Sequence, residues 1–288
     1  MLFATVCLWG FNFIASKYVI THGVSPLAYA APRYAIAAGA FALLTVALER
    51  SLRISRRDLV VLAGGAVVLF FNQLGFIYAL YFTTASTVAL VFGTLPIFTV
   101  LIATLSGVER ASRSFLVAGA VSFAGVALVV AGGGGSLSAN LKGDGLALLG
   151  AGTWAGYSVL VAPMMRRYSP FRISAYVLGM TTILLALAGS RQLARETAPG
   201  SWRVWAAFAF AIVGALLVTN VLWFTAIHRV GPSHAALFAN LQFLLAAVFG
   251  VILLSETITP MQVAGGAAIG AAILLSRFPR APAPQPVE

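Results

Sequence analysis

Apolar residues run along this chain in long blocks separated by short polar or charged junctions. A helix needs about 20 such residues to cross some 30 Å of hydrocarbon. Ten blocks of that size fill nearly the whole chain, at about 1–21, 26–48, 59–81, 84–107, 113–132, 143–165, 170–189, 203–227, 231–254 and 260–277. A spanning β-barrel would instead show segments of about ten residues with alternating hydropathy, and none is present. The pattern predicts an all-α integral membrane protein with ten transmembrane helices.

The blocks also repeat. Residues 226–275, moved back by 147 positions, fall without a gap on 79–128, with Ser233 on Ser86, Glu256 on Glu109 and Gly266-Ala267 on Gly119-Ala120. Earlier, Trp9 answers to Trp154, and Ser25-Pro26 to Ser169-Pro170. The chain thus divides into copies at 1–135 and 143–278, with a proline-rich tail at 279–288 that should be disordered. Gly132 to Gly135 form the linker, and no Gly-Lys-Ser/Thr follows them, so a phosphate-binding loop is excluded. Five spans per copy is an odd number, so the second copy runs through the membrane inverted. Inverted repeats are a recurring plan of secondary transporters, with the substrate site near the midplane between the halves.

Composition agrees: 60% of residues are hydrophobic and 9% charged, and mean hydropathy is +0.97. The net charge of +11 raises the question of nucleic acid, and position answers it. Arg50, Arg53, Arg56, Arg57, Arg110, Arg113, Arg166, Arg167, Arg172, Arg229, Arg277 and Arg280, twelve of the 18 basic residues, fall at every second junction. This is the positive-inside pattern; both termini are expected in the cytoplasm and no nucleic-acid partner is implied. Cys7 is the single cysteine, which leaves no disulfide framework or thiolate metal site. The first block has no basic n-region and is needed by the repeat, so it reads as a span rather than a cleaved signal.

Helix starts are marked by Ser25-Pro26, Ser169-Pro170 and Thr259-Pro260, each a capping hydroxyl before a proline. The short connections predict that sequential spans pack as antiparallel neighbours. Gly266 and Gly270 form a GxxxG pair, with Ala120 and Ala124 at the equivalent turn of the fifth span. Packing within a monomer is the favoured reading, and a homodimer interface the alternative.

Polar side chains in hydrocarbon are stable only when they face protein, water or substrate. Trp9, Asn12, Phe13 and Ser16 share one face of the first helix, and Trp154, Tyr157, Ser158 and Val161 the matching face of the sixth. Asn72 and Gln73 stand mid-span in the third, followed by Phe76, Tyr78 and Tyr81. Thr219, Asn220 and Trp223 lie in the eighth, Asn240 and Gln242 in the ninth, and Phe92 and Thr94 before Pro96 in the fourth. Singly, each is as well explained as an interfacial anchor or as interhelical glue contributing about 0.6 kcal/mol. Together they predict an amphipathic cavity of amides and aromatic rings that binds substrate.

Arg33, just after Pro32, sits about 10 Å into its span, counting 1.5 Å per residue from Pro26. Snorkelling to the outer face, or capping carbonyls freed by Pro32, is the favoured role, with substrate-carboxylate binding as the alternative. Lys17 carries the same alternative. Glu109 and Glu256 end the fourth and ninth spans at helix C-termini, where they oppose the macrodipole and call for a basic or capping partner. Lys17, Arg33, Pro96, Glu109 and Glu256 are assigned structural or gating roles. All seven acids stand at span ends, in loops or in the tail, so no mid-membrane carboxylate relays protons or holds sodium, and a facilitated carrier is favoured over a pump. No HExxH, metal-ligand cluster or nucleophile–base pair is present, so neither an enzyme nor a cofactor is expected.

The glutamate-ending fourth and ninth spans, the closing segment LLSETITPMQVAGGAAIGAAILL and the WG-N start of the first span resemble the drug/metabolite transporter superfamily. More narrowly the chain resembles the EamA-type transporters, over essentially its whole length, and is similar to bacterial inner-membrane exporters of aromatic amino acids. The resemblance implies export of a small molecule by alternating access of inverted halves in the lipid bilayer. Relatives of that kind carry metabolites, sugars, nucleotides and toxic cations, so it leaves substrate identity open. A lipophilic-cation exporter is the runner-up; a mid-span acid would be expected there.

Overall fold

The computed structural model describes residues 2–105, 113–132, 137–198, 200–222 and 241–275. Helices α1 (Leu2–Thr21), α2 (Pro26–Glu49), α3 (Arg56–Phe82), α4 (Ala85–Phe92), α5 (Leu95–Leu105) and α6 (Arg113–Gly132) build the first copy. The second holds α7 (Leu137–Val161), α8 (Pro170–Ala188), the short α9 (Ser190–Arg195), α10 (Trp202–Ile212), α11 (Leu241–Leu254) and α12 (Pro260–Leu275). Among the described residues six helices are long and apolar enough to cross a membrane, and the described secondary structure is helical throughout.

Two spans depart from the continuous helices expected. The fourth is broken between α4 and α5, because Pro96 has no N–H with which to continue the ladder. Gly93 and Thr94 close a tighter turn there, the Thr94 N–H donating to the Val91 carbonyl at 3.1 Å and its hydroxyl donating to the same oxygen at 2.7 Å. The eighth widens into a π-helical turn at Val213–Val218, whose carbonyls are met by side chains: the Thr219 hydroxyl donates to the Ala215 carbonyl at 2.7 Å, and the Asn220 amide to that of Leu216. Helices α2, α8 and α12 all start at the marked prolines. Ser169 and Thr259 accept from the backbone of Arg172 and Gln262, whereas the Ser25 side chain makes no cap bond.

Sequential spans are not the main packing partners. The most extensive contacts join α3 to α7, α6 to α12, α2 to α8 and α1 to α11, each pairing one copy with the other. The pattern has a twofold logic. Exchanging the copies turns the α3–α7 contact into α10–α1, and α1–α11 into the contact of α7 with α4 and α5, and both exchanged contacts are present. Short loops bring helix ends together, but glycines decide which flanks close up. A Cβ on Gly75 would stand 2.7 Å from the Gly150 nitrogen and the Leu146 carbonyl of α7, so α3 and α7 meet backbone to backbone. One on Gly125 would stand 2.7 Å from the Gly265 carbonyl of α12. Of the GxxxG pair of α12, Gly266 packs within the monomer, where a Cβ would stand 2.9 Å from a Leu90 methyl, while among the described residues nothing lies within 4 Å of the Cβ position of Gly270.

Gly75→Ala should therefore destabilise the protein by about 1–3 kcal/mol, the usual cost of overpacking against atoms that cannot yield. Gly39→Ala, whose Cβ would meet nothing within 4 Å among the described residues, should not. Thermal unfolding in detergent compares the two; equal melting temperatures would show that the close α3–α7 approach contributes nothing.

Candidate functional site

Arg33 is the centre of the site, and the structure overturns the snorkelling expectation. It is 2% exposed, and its guanidinium turns inward between α1 and α3. Nη2 donates to the Gln73 carbonyl oxygen at 2.9 Å; Nη1 donates to the Tyr29 hydroxyl at 3.0 Å, with Asn12 Oδ1 at 3.4 Å and Ser16 Oγ at 3.5 Å. The faces of Tyr29 and Tyr34 lie 4.8 and 5.6 Å from its central carbon. The Gln73 amide donates to Asn72 Oδ1 at 3.0 Å, and the Asn72 amide to the Gly150 carbonyl of α7 at 2.8 Å. Three helices of the first copy and one of the second thus share one buried network of neutral groups around one charge. Helical spacing explains it: Asn12 and Ser16 are four apart on α1, as are Tyr29 and Arg33 on α2, and each pair shares a face.

An aromatic cluster adjoins this network. Phe13, one residue after Asn12, meets Phe76 edge-on at 5.1 Å and Phe92 at 5.8 Å, and Phe243 of α11 lies 6.3 Å from Phe92. The two meet at Gly150, where a Cβ would strike the Phe92 ring at 2.6 Å while the carbonyl holds Asn72.

Of the other candidates, Tyr157 lies within electrostatic reach of Tyr34, beside Arg33, and the rest stand further from this centre. Tyr78 accepts at its hydroxyl from Gln192 of α9 at 2.9 Å, and Tyr81 is 54% exposed on the outside of the bundle. Trp154 is 37% exposed and packs on Tyr157 at 5.7 Å, and Tyr157 in turn lies against Gly65 of α3. The Asn220 amide is spent on its own helix, Gln242 is half-buried with its backbone carbonyl against Gly10, and Trp9 is half-buried on α1. Trp223, Asn240 and Glu109 lie outside the described residues.

Polar side chains tie each end of the bundle, within the first copy as well as across the two. At the arginine-rich end Arg172 pairs with Glu49 at 2.6 Å, and Arg167 with Asp58 at 2.9 Å. At the other end Lys17 donates to the Leu80 and Thr83 carbonyls at 2.6 and 2.8 Å, so its ammonium caps α3. The capping partner expected for Glu256 is present, but the residue stands past the end of α11 and does not oppose that helix's dipole. Ser255, at φ 53°, turns the chain out of α11, and the Glu256 carboxylate accepts from the Ala85 and Ser86 N–H groups at 2.8 and 2.9 Å and from the Ser86 hydroxyl at 2.6 Å. It caps the positive end of α4, in the other copy. Asp144 stands near the start of its span, as expected, but is 3% exposed, and among the described residues its Oδ1 has no hydrogen-bond partner.

The profile of the EamA-like transporter family matches this chain twice, over residues 1–131 and 141–278. The chain belongs to the EamA-like transporter family. An uncharacterized transporter of Archaeoglobus fulgidus is 26% identical over 273 residues, covering 92% of this chain and 93% of that one. The uncharacterized transporter YyaM of Bacillus subtilis is 25% identical over 250 residues, covering 84% and 81%. A solved crystal structure shares the fold, with a TM-score of 0.64 and 21% identity over 96% of this chain and 94% of its own. This EamA-family protein is a membrane transporter, not an enzyme, and its substrate is a small molecule.

In this transporter Tyr29 and the Gly150 carbonyl belong to the network without being among the residues its sequence singles out. Tyr29 carried a signal, being one helical turn before Arg33; a backbone carbonyl carries none.

Replacing Glu256 by Gln leaves one acceptor oxygen where two are used, and should destabilise the protein by about 1.5–3 kcal/mol, the range for hydrogen bonds to a charged group. Gly250→Ala should act in the same direction, since its Cβ would lie 2.6 Å from Glu256 Oε2. Thermal unfolding of both variants checks this; wild-type melting in both would remove the grip on α4 from the forces holding the copies together.

Proposed function

We propose that this transporter exports amino acids, aromatic ones first, across the bacterial inner membrane by alternating access of two inverted five-span halves. The observation that carries this reading is the buried meeting of an amide-and-guanidinium network with a phenylalanine cluster at Gly150, on helices drawn from both copies. An amino acid has a polar head for the first and a side chain for the second. The arginine-rich end is taken as cytoplasmic, with both termini there, by the positive-inside rule. Alternate breaking of the ties at the two ends, Glu49–Arg172 and Asp58–Arg167 on one side and Glu256 with α4 on the other, gives the two openings.

Among the described residues no carboxylate touches Arg33, which favours a facilitated carrier. Asp144 adjoins Gly143, which packs against Thr83, ten residues and so about 15 Å along α3 from Gln73. The same charge disfavours a lipophilic-cation substrate, which would be repelled at the centre of the bundle.

Efflux of radiolabelled phenylalanine from proteoliposomes should be accelerated by the purified protein without an ion gradient. Asn72→Ala should lower that flux roughly tenfold, the effect of one lost buried hydrogen bond and the acceptor it leaves unpaired. No flux of phenylalanine, tyrosine or tryptophan would sink the aromatic assignment; flux only under an imposed proton or sodium gradient would sink the facilitated mechanism.

A further inference from the structure

We infer that Arg33 is the specificity-determining anchor of the transported molecule, binding a carboxylate that the substrate brings as the missing counter-ion. The inference rests on the network being the substrate site; it does not depend on that substrate being aromatic.

A guanidinium keeps its positive charge in proteins and offers five N–H donors in a planar fork. Buried, such a charge is ordinarily paired with an anion. Arg172, whose side chain is 16% exposed, follows that rule with Glu49. Arg33 does not. At 2% exposure its acceptors are a tyrosine hydroxyl, a serine hydroxyl and two amide oxygens, all neutral.

The donors are also unevenly used. Nε is buried and, among the described residues, has no acceptor. Nη1 is divided among three oxygens, of which Asn12 at 3.4 Å and Ser16 at 3.5 Å stand at the outer limit of hydrogen bonding. The guanidinium is thus held firmly on the Gln73 and Tyr29 sides and loosely on the α1 side, where Asn12 is half-buried. A carboxylate arriving from α1 replaces the two long contacts with short charge-assisted ones. One positive charge in a neutral surround matches a monoanionic carboxylate better than a dianionic phosphate. A role confined to bracing helices would need no net charge: the Ser16–Tyr29 pair at 2.9 Å joins α1 to α2 and the Asn72 amide on the Gly150 carbonyl at 2.8 Å joins α3 to α7, both through neutral groups.

The test is thermal unfolding of the purified protein with benzoate, hexanoate, phenylalanine, phenethylamine or inorganic phosphate. Benzoate and phenylalanine should raise the wild-type melting temperature, and phenethylamine, which keeps the ring and lacks the carboxylate, should not. Arg33→Gln should abolish the response, and Arg33→Lys should retain a weakened one. Should Arg33→Gln fail to fold, Asn12→Asp decides: a carboxylate built in beside Nη1 should raise the ligand-free melting temperature and suppress the benzoate response. The inference is overturned if no carboxylate shifts the wild type, if phenethylamine or phosphate shifts it as much as benzoate, or if the response survives in the Arg33→Gln or Asn12→Asp protein. A response to hexanoate without one to benzoate or phenylalanine would sink the aromatic reading and leave Arg33 as the anchor.

Discussion

A positive charge that cannot be discarded, held in a bundle interior that offers it no anion, sets the terms for the rest of this structure. Hydrocarbon supplies no water to the guanidinium of Arg33, so every helix around it must present oxygen. That requirement places Asn12 and Ser16 on α1, Tyr29 one turn before Arg33 on α2, and Gln73 on α3. The Gln73 amide then needs an acceptor, which is Asn72, and the Asn72 amide reaches the Gly150 carbonyl of the second copy. One charge thereby fixes the mutual rotation of four helices.

Reaching that carbonyl requires α7 to approach α3 more closely than side chains allow. Gly75 and Gly150 remove the obstacle, and the Phe92 ring fills the space left against Gly150. The same economy recurs at Gly125 and Gly265 between α6 and α12, and at Gly10 between α1 and α11. Where hydrophobicity cannot distinguish a helix from lipid, close approach of backbones supplies the attraction through dispersion and packing. This is why the strongest contacts join one copy to the other, although the loops tie neighbours within a copy.

Much of this was legible before any coordinates. Block length and composition set the helical membrane class, the offset between Glu109 and Glu256 revealed the duplication, and the family match spans both copies. Asn12, Ser16, Asn72 and Gln73 could be picked out because an amide or hydroxyl in hydrocarbon demands an explanation. Arg33 was visible for the same reason, but its direction was not: a side chain of that length reaches either the interface or the interior. The places of Tyr78, Tyr81 and Trp154 are not legible, because aromatic residues suit a cavity wall, an interface or a lipid-facing surface equally well.

What the sequence determined by itself is whatever follows from the solvent: helices, their apolar lengths, the duplicated unit, the asymmetric arginines and the set of polar groups that must find partners. Tertiary structure alone decided which partners they found. Glu256 follows one helix and caps another in the opposite copy, Lys17 serves the end of α3, and the carbonyl that completes the Arg33 network belongs to a glycine 78 residues from Asn72. Local sequence carries the need for a hydrogen bond, but the partner is chosen by which helix faces close on each other, and that is a property of the packed bundle.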